Sequence, residues 1–428
     1  MPLSSFIRYY IKFLVAMLLT GVIAGLVGLV LSLILHFVQH IAFGYNLHEV
    51  FSTDNFLEAV NASSPSRRVL ALVICGFIVG IGWWLLYRYG KKIITIEQAV
   101  KNEPHQMPVF TTIIHGLLQM VSVGLGSPLG RELAPREVSA SFTGILSQKL
   151  GLTEPDIKIM VACGAGAGLA AVYNVPLAGA LFTLEVLLMS ARWQCVVPAI
   201  FTSTLAAVIA WVGLGDEQQY HIEAMRLSYS LVAWSILIGP IIGIAAFYFV
   251  KVTTAAKKAA PKDVKLIPLA LINFLLIGVL AIPYPELLGN GKEPLQLGFD
   301  GSLTIQLVAA LLVIRFIITV SSLRVGAKGG LLTPGLMHGA LIAILLGSLW
   351  NYVFPAASMG TYAIIGATAF LACSMKMPLT AIVLVLELTR INHDSLIPIL
   401  FALVGAVGMF SLLKRVTGDQ EINLVKEP

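Results

Sequence analysis

The stretch that organises this sequence reads Gly124-Leu-Gly-Ser-Pro-Leu-Gly-Arg-Glu-Leu-Ala-Pro-Arg-Glu137. It is broken by glycine and proline, and it carries four charges inside a very apolar sequence: Arg131, Glu132, Arg136 and Glu137. Glycine and proline end helices, and backbone groups freed at membrane depth must be satisfied by protein or by water in a cavity. The stretch therefore indicates part of a permeation path or, alternatively, a loop just outside the bilayer, where charges are tolerated.

The composition places the whole chain in a membrane. Of its 428 residues, 57% are hydrophobic and only 12% are charged, and the mean hydropathy is +0.88. Soluble domains carry about 25% charged residues. We therefore expect an all-α polytopic membrane protein in which residues 1–428 form a single transmembrane domain. Apolar segments occur near 11–39, 69–88, 109–123, 157–190, 196–214, 229–251, 266–282, 304–322, 331–354, 361–373 and 379–413. Several are shorter than the ~20 residues of a perpendicular span, which predicts short, tilted and broken helices.

The basic residues flank the apolar segments, which explains the net charge of +6 without a nucleic-acid partner. By the positive-inside rule they mark the cytoplasmic side, and both termini are expected there. The marker residues are Arg8, Lys12, Lys251, Lys257, Lys258, Lys262, Lys265, Lys414 and Arg415. The acidic residues Asp216, Glu217 and Glu223 are expected to face outward. No targeting peptide is evident, because the segment 11–39 is too long for a signal-peptide core.

The cysteines and histidines form no ligand pattern. Cys75, Cys163, Cys195 and Cys373 lie in or beside apolar segments without CxxC spacing, and they are expected to be small buried hydrophobes. The eight histidines show no HExxH motif or other cluster. We predict no metal and no cofactor.

The most informative feature of the chain is an internal repeat. The segment Gly164–Val186 aligns without a gap on Gly366–Leu388, 202 residues later. Upstream, Gly130-Arg-Glu-Leu-Ala-Pro135 aligns on Gly329-Gly-Leu-Leu-Thr-Pro334 at a spacing of 199. Both copies therefore contain a Gly/Pro turn, a helix of small residues, and a Pro-Leu helix that ends in Leu-Glu.

This repeat predicts two structural halves, at about residues 1–215 and 225–428, whose shared site lies near mid-membrane where broken helices meet. The spacing alone leaves open whether the halves are inverted or parallel. The small residues of both copies favour close helix packing. Glu185 and Glu387 occupy matching helix ends, where a structural role such as capping is favoured.

The two Gly/Pro turns are expected to carry the chemistry. A helix that begins after Gly130 or after Gly330 presents up to four backbone N–H groups without intrahelical partners and about half a positive charge. Such a helix start attracts anions. Two of them converging would form an electropositive site, and the chain is poor in the acidic clusters that coordinate cations. This asymmetry favours anion transport over cation transport.

Four motifs, taken in order, resemble the motif set of the CLC chloride channel and transporter family. They are Gly130-Arg-Glu132 followed by Pro135, Gly164–Phe182, Gly329-Gly-Leu-Leu-Thr-Pro334 and Pro378–Thr389. The likeness covers most of residues 70–413, and Pro285–Gly291 with Glu185-Val186 is similar to the bacterial ClcB-like branch. The resemblance implies two inverted repeats with their own anion path, a homodimer of two separate pores, and a bacterial inner membrane.

The resemblance also implies residue roles. In that family the glutamate of the Gly-Arg-Glu motif is the gate, and its carboxylate competes with the anion; this role falls on Glu132. The family's central anion is held by backbone N–H groups whose positions match Leu331 and Leu332. The implied anion-binding residues are Gly130, Arg131, Gly330, Leu331, Leu332 and Lys91. Arg136 and Glu137 gain no such role and are expected to be flanking or interfacial charges.

Several positions depart from the family pattern. The motif Gly-Ser-Gly-Ile-Pro corresponds to Gly90-Lys-Lys-Ile-Ile94, so that Lys91 replaces the anion-binding serine. Lys91 either faces the pore or, as we favour, snorkels to the interface from an altered loop. Leu133 replaces a glycine beside the gate and removes conformational freedom. Val186 replaces the internal proton-relay glutamate, and the expected pore tyrosine has no counterpart in residues 414–428. No cytoplasmic regulatory domain is expected.

These features favour CLC-type transport of a monovalent anion, most simply chloride, across the lipid bilayer. Glu132 would be the gate, and proton coupling would be weak or absent because Val186 carries no proton. The alternative is a proton-coupled exchanger with another internal path, through Glu185 or water. Two further classes are an intramembrane enzyme that uses Glu132 or His115 and a non-conducting sensor. No nucleophile-elbow or zinc-ligand motif supports an enzyme, and we predict that the chain is not one.

Overall fold

Within the part of the chain that the structure describes, the fold consists of seventeen α-helices. The computed structural model describes residues 3–44, 56–101, 107–222, 225, 227–354, 357–392 and 395–418, without the side chains of residues 3–6. Glu223 and residues 419–428 lie outside these ranges. The helices are α1 (Leu3–Phe43), α2 (Phe56–Ala62), α3 (Pro65–Tyr89), α4 (Ile96–Lys101), α5 (Val109–Gly124), α6 (Leu133–Lys149), α7 (Glu154–Tyr173), α8 (Pro176–Phe182), α9 (Trp193–Leu214), α10 (Tyr229–Lys258), α11 (Leu266–Leu280), α12 (Lys292–Phe299), α13 (Ile305–Arg324), α14 (Leu332–Val353), α15 (Met359–Ser374), α16 (Pro378–Thr389) and α17 (Leu396–Thr417). A π-helical segment, Thr183–Leu188, continues α8.

Eight of these helices are long and apolar enough to cross a membrane: α1, α3, α7, α9, α10, α13, α14 and α17. Their outer faces expose large apolar side chains such as Phe77, Leu237 and Val404. In water so much exposed apolar surface would be unfavourable, whereas lipid tails cover it in a bilayer. The chain is an all-α polytopic membrane protein, as the composition predicts.

Each repeat contains a helix that is broken at a matching position. After α7, Asn174 adopts a left-handed conformation with φ of 56°, and α8 begins at Pro176. After α15, Lys376 adopts the same conformation with φ of 54°, and α16 begins at Pro378. A left-handed residue ends a helix, and proline fits the first position of the next one because no N–H is needed there. The apolar segment expected at 157–190 is therefore two helices.

The broken helices show that the repeats are inverted. Glu185, in the π-helical segment after α8, accepts backbone N–H bonds of 3.0 and 2.7 Å from the first turn of α16. Glu387, near the end of α16, accepts bonds of 2.9 and 2.7 Å from the first turn of α8. Two helices that each contact the other's start with their own end run antiparallel. Both carboxylates have the structural role favoured from the sequence, and each caps the helix of the opposite repeat.

Small residues bring the repeat helices close to the starts of α6 and α14. A Cβ placed on Gly168 of α7 would lie 2.5 Å from the carbonyl oxygen of Pro135 in α6. A Cβ on Gly366 of α15 would overlap the backbone of Gly339 in α14. Glycine at these positions permits backbone-to-backbone packing. This packing holds the N-terminal halves of α6 and α14 against α7 and α15.

Candidate functional site

The starts of α6 and α14 meet at a short antiparallel bridge. The N–H of Gly130 donates to the carbonyl oxygen of Gly330 at 2.8 Å, and the N–H of Gly330 donates to that of Gly130 at 2.9 Å. Because α6 begins at Leu133 and α14 at Leu332, two helix starts converge here. Their unpaired N–H groups and positive dipole ends create a local electropositive position.

The carboxylate of Glu132 occupies this position. The residue is 0% exposed. Its Oε1 accepts the backbone N–H of Leu332, the first residue of α14, at 2.8 Å, and its Oε2 accepts the hydroxyl of Tyr173 at 3.2 Å. The Tyr173 hydroxyl also lies 3.1 Å from Oγ1 of Thr333. The carboxylate therefore takes the place that helix starts offer to an anion.

Two glycines make room for this carboxylate. A Cβ placed on Gly130 would lie 2.6 Å from Oε1 of Glu132. A Cβ on Gly330 would overlap Oε1 and lie 2.9 Å from Cγ of the same side chain. At both glycines, the three atoms nearest to the added Cβ belong to Glu132. The missing side chains thus form a notch at the bridge that holds the carboxylate.

Arg131 lies beside this carboxylate without pairing with it. Its guanidinium carbon is 5.2 Å from the centroid of the Tyr173 ring, a distance typical of a cation–π contact. Its Nη2 donates a long bond of 3.4 Å to Oε1 of Gln219. Its Nε is buried without an acceptor among the described residues. Arg131 therefore adds positive charge near Glu132 while keeping hydrogen-bonding capacity unused.

Comparison with known proteins assigns the chain to a family. A family model described as voltage gated chloride channel matches residues 75–411. The chain belongs to the CLC family. Members of this family are channels or transporters, so the chain is not an enzyme.

CLC proteins of several kinds are similar to this chain. The voltage-gated ClC-type chloride channel ClcB of Citrobacter koseri is 24% identical over 347 residues, which cover 79% of this chain and 82% of that protein. The H⁺/Cl⁻ exchange transporter ClcA of Klebsiella pneumoniae is 28% identical over 364 residues, covering 79% and 75%. A slow cyanobacterial Cl⁻/H⁺ antiporter superposes with a TM-score of 0.80 at 21% identity, covering 96% and 99% of the two chains. A CLC-type fluoride/proton antiporter superposes at 0.66 with 18% identity, covering 92% and 96%. The predicted family and fold class are confirmed.

Of the other residues to which the CLC resemblance assigns roles, Leu331 lies next to the bridge, whereas Lys91 and Val186 lie elsewhere in the fold. Leu331 lies at the start of α14, next to the bridge. Lys91 lies on the exposed loop between α3 and α4, where its backbone N–H donates to a threonine hydroxyl of α5 at 3.2 Å. Val186 is partly buried in the π-helical segment, beside the capping residue Glu185. No contact among the described residues joins Lys91 or Val186 to Glu132.

The helix that follows Lys91 is closed by its own cap. The N–H of Thr95 donates to Oε1 of Gln98 at 3.1 Å, and the N–H of Gln98 donates to Oγ1 of Thr95 at 3.3 Å. Such a capping box satisfies two of the N–H groups that a helix start otherwise leaves free. The start of α4 is therefore less available to an anion than the starts of α6 and α14.

Sequence reasoning missed Tyr173, which contacts the carboxylate of Glu132. Tyr173 is the only aromatic residue in the run 164–175, where the other residues are small, aliphatic or Asn174. A buried hydroxyl needs a hydrogen-bond partner, so an isolated tyrosine in such a helix was a usable signal. The identity of the partner depends on the packing of α7 against α6, which the sequence does not contain.

The expectation that Arg136 and Glu137 are flanking or interfacial charges is wrong for Glu137, which is buried. Both lie in the first two turns of α6, where Glu137 is buried and Arg136 is partly buried, with its Nε inaccessible. Glu137 is 5% exposed; its Oε2 accepts a bond of 3.2 Å from Gln119 and lies 3.6 Å from Nε2 of His115. The Nδ1 of His115 in turn accepts the indole N–H of Trp83 at 2.9 Å. This cluster joins α6 to α5 and α3, so the charge of Glu137 lies at a contact between helices and not at the surface.

The cysteines and histidines are distributed as single residues. Cys75, Cys163, Cys195 and Cys373 are free and buried. Among the residues that the structure describes, no group of three or more histidine, cysteine, aspartate or glutamate side chains could hold a metal ion. His338 bonds the carbonyl oxygen of Pro334 at 2.7 Å within α14. These residues therefore belong to the packing of the helices.

Proposed function

We propose that the chain transports a small monovalent anion, chloride in the first instance, through the bridge between the repeats, with Glu132 as the gate. The observation that carries this proposal is the bond from the N–H of Leu332 to the buried carboxylate, at two converging helix starts. A bound anion needs the same N–H group and the same space. Carboxylate and anion therefore exclude each other, and withdrawal of the carboxylate opens the site. Leu331 and Gly330 contribute backbone to it, and Arg131 contributes charge.

Weak or absent proton coupling is the second part of the proposal. Val186 has no group that binds a proton. The adjacent Glu185 accepts three hydrogen bonds of 2.6 to 3.0 Å from the first turn of α16, two from backbone N–H groups and one from a threonine hydroxyl. Moving a proton through Glu185 would break this cap. The side chains near the position of the family's proton relay thus favour anion movement without protons.

A proton-coupled anion exchanger is the alternative, and two observations favour it. The ClcA relatives are named H⁺/Cl⁻ exchange transporters. In addition, His115 and Glu137 form a buried titratable pair with 3.6 Å between Nε2 and Oε2, and Glu137 lies on the same helix start as Glu132. In this alternative the pair supplies the internal proton path that Val186 cannot supply.

The proposal also includes the assembly and its orientation. The repeats extend over about residues 1–215 and 225–428, and two chains form a homodimer with separate pores in a bacterial inner membrane. Both termini are cytoplasmic, which is supported by Lys257 and Lys258 in the last turn of α10. Light scattering of the purified protein in detergent measures the mass of the assembly, and a monomer would contradict the dimer.

The test uses purified protein in liposomes loaded with chloride, with efflux measured with and without a proton ionophore. Wild-type protein should release chloride, and Glu132→Gln should change the rate because the charged gate is lost. Glu217→Gln is the matched control, since this carboxylate is exposed on the loop after α9. Stoichiometric proton movement would favour the exchanger, and absence of efflux for every small anion would refute transport.

A further inference from the structure

One partly buried charged side chain has no polar partner among the residues that the structure describes. Arg136 lies one turn after Glu132 on α6, and its guanidinium carbon is 4.1 Å from the centroid of the Phe182 ring. Its side chain makes no hydrogen bond or ion pair with any residue that the structure describes, and its Nε is buried. A cation–π contact with phenylalanine stabilises a cation without neutralising it. The guanidinium therefore keeps N–H donors unused within the protein.

No carboxylate in the described part of the chain compensates this charge by direct contact. The carboxylates whose negative charge acts on Arg136 are those of Glu132, Glu137 and Glu97. Each of these is engaged elsewhere: Glu132 at the bridge, Glu137 with the histidine and glutamine of α5, and Glu97 with Lys101 at 3.9 Å. An ion removed from water is strongly destabilised unless it is paired and hydrogen-bonded. The guanidinium thus has the positive charge and the N–H donors to bind one negative ion.

Arg136 lies on a defined side of the gate position. The hydroxyl of Tyr9, near the start of α1, lies 3.2 Å from Oγ1 of Thr153 and donates a hydrogen bond to Asp156, and both partners follow the end of α6. Helix α6 therefore runs from Glu132 toward the side of the membrane on which α1 begins. Arg136 is displaced from Glu132 in that direction by about 6 Å along the helix axis.

The fold itself does not require an arginine at this position. At the repeat spacing of 199 residues, Arg136 aligns with Gly335 and Glu137 aligns with Leu336. The second repeat builds the corresponding start of α14 without either charge. Because α14 forms without them, the charged pair serves something other than the formation of this type of helix start.

We propose that Arg136 is a side-chain ligand of the transported anion on the side of Glu132 where α1 begins. The inference rests on the proposed function and specifies how the site binds its substrate. When Glu132 is neutral or has moved away, its negative charge no longer acts on the guanidinium, and a small monovalent anion takes its place. The planar fork of N–H groups supplies charge-assisted hydrogen bonds, in addition to the backbone donors at the bridge.

The test measures chloride binding directly, by isothermal titration calorimetry of protein in detergent. The background is Glu132→Gln, which removes the competing charge. In this background, Arg136→Met should weaken chloride binding at least tenfold, whereas Arg136→Lys should weaken it less than Met does, because the charge is kept and only the planar fork of donors is lost. Arg88→Met is the matched control, since Arg88 also contacts aromatic rings, 5.8 and 5.7 Å from Trp84 and Tyr89, but is exposed on α3. It should bind like the background.

Equal chloride affinity in Arg136→Met and its background would overturn the inference, and so would the absence of chloride binding in the background. Arg136→Gln provides a second uncharged variant that keeps polar donors, and it should weaken binding as Met does. Gel filtration and a melting temperature check that each variant is folded. Transport is measured separately in liposomes. Efflux by wild type with unchanged binding in Arg136→Met refutes this inference alone, whereas absence of wild-type efflux refutes the proposed function.

Discussion

Replacing Gly330 with alanine should hold the gate open. The φ angle of Gly330 lies outside the left-handed region, so its backbone accepts alanine. The obstacle is Glu132, because the new Cβ would overlap Oε1 of that side chain. Nonbonded heavy atoms rest at about 3.5–4.0 Å, so the carboxylate must withdraw by more than about 1 Å. That movement breaks its bond to the N–H of Leu332, now 2.8 Å long.

The size of the effect follows from the broken bond. A hydrogen bond to a charged group contributes about 1.5–3 kcal/mol, and each 1.4 kcal/mol is about a tenfold change in an equilibrium. The ratio of closed to open gate should therefore fall by about 10- to 150-fold. The assay is the initial rate of chloride efflux from liposomes at fixed pH and salt. Gly330→Ala should release chloride faster than wild type and about as fast as Glu132→Ala.

Two controls separate gate displacement from general disturbance. Gly335→Ala lies on the same helix, where the added Cβ would meet only Oγ of Ser374 at 3.2 Å and more distant carbons, and efflux should match wild type. In the Glu132→Ala background, Gly330→Ala should add nothing, because the displaced group is already gone. If the alanine at 330 instead slows efflux equally in both backgrounds, it obstructs the anion path, and the gate argument is refuted.

Three further predictions concern contacts around the bridge and between the repeats. Tyr173→Phe removes the hydroxyl that bonds Glu132, so efflux should rise by up to about tenfold, and an unchanged rate would mean that this bond does not hold the gate. Glu185→Gln removes the charge that caps α16 and should lower the unfolding free energy by about 1–3 kcal/mol, measured as a lower melting temperature in detergent. The hydrogen bond from Asn174 chiefly lowers the pKa of Asp216 in the loop after α9. Because the folded pKa is the lower one, this stabilisation is present at neutral pH and is lost as the pH falls through that value. Asp216→Asn should therefore flatten the acid side of the melting-temperature profile, and a profile identical to wild type would contradict the contact.

Much of the fold was predictable because the repeat imposes the same local chemistry twice. Each copy places proline shortly after a helix of small residues, and the structure breaks both helices two residues before that proline, at Asn174 and Lys376. The composition also predicts a membrane protein without knowledge of the packing, because most segments are apolar by their own residues. The Gly/Pro turns before α6 and α14 were also predictable, because glycine and proline limit where helices can begin.

The rest of the site depends on contacts between distant segments. Tyr173 is 41 residues from Glu132, and Glu185 caps a helix that begins more than 190 residues later. Neither partner can be read from spacing, because it depends on which helices pack together. The wrong expectation for Glu137 has a different cause. Glycine and proline predict where a helix starts only to within a few residues. A shift of that size in the predicted start decides whether a charged residue is placed on an exposed loop or in a buried helical turn.

The bridge combines a symmetric scaffold with asymmetric chemistry. At the repeat spacing of 199, Glu132 aligns with Leu331, and Arg131 aligns with Gly330. The first repeat thus supplies the charged side chains. The second supplies the N–H group of Leu332, which bonds the carboxylate, and the space beside Gly330, which has no side chain. A carboxylate from each repeat would place two negative charges in one notch. Like charges repel strongly at short range in a poorly solvated site. A gate made from a single charged side chain therefore requires the inverted symmetry to be broken at this point, and the charged groups of α6 break it.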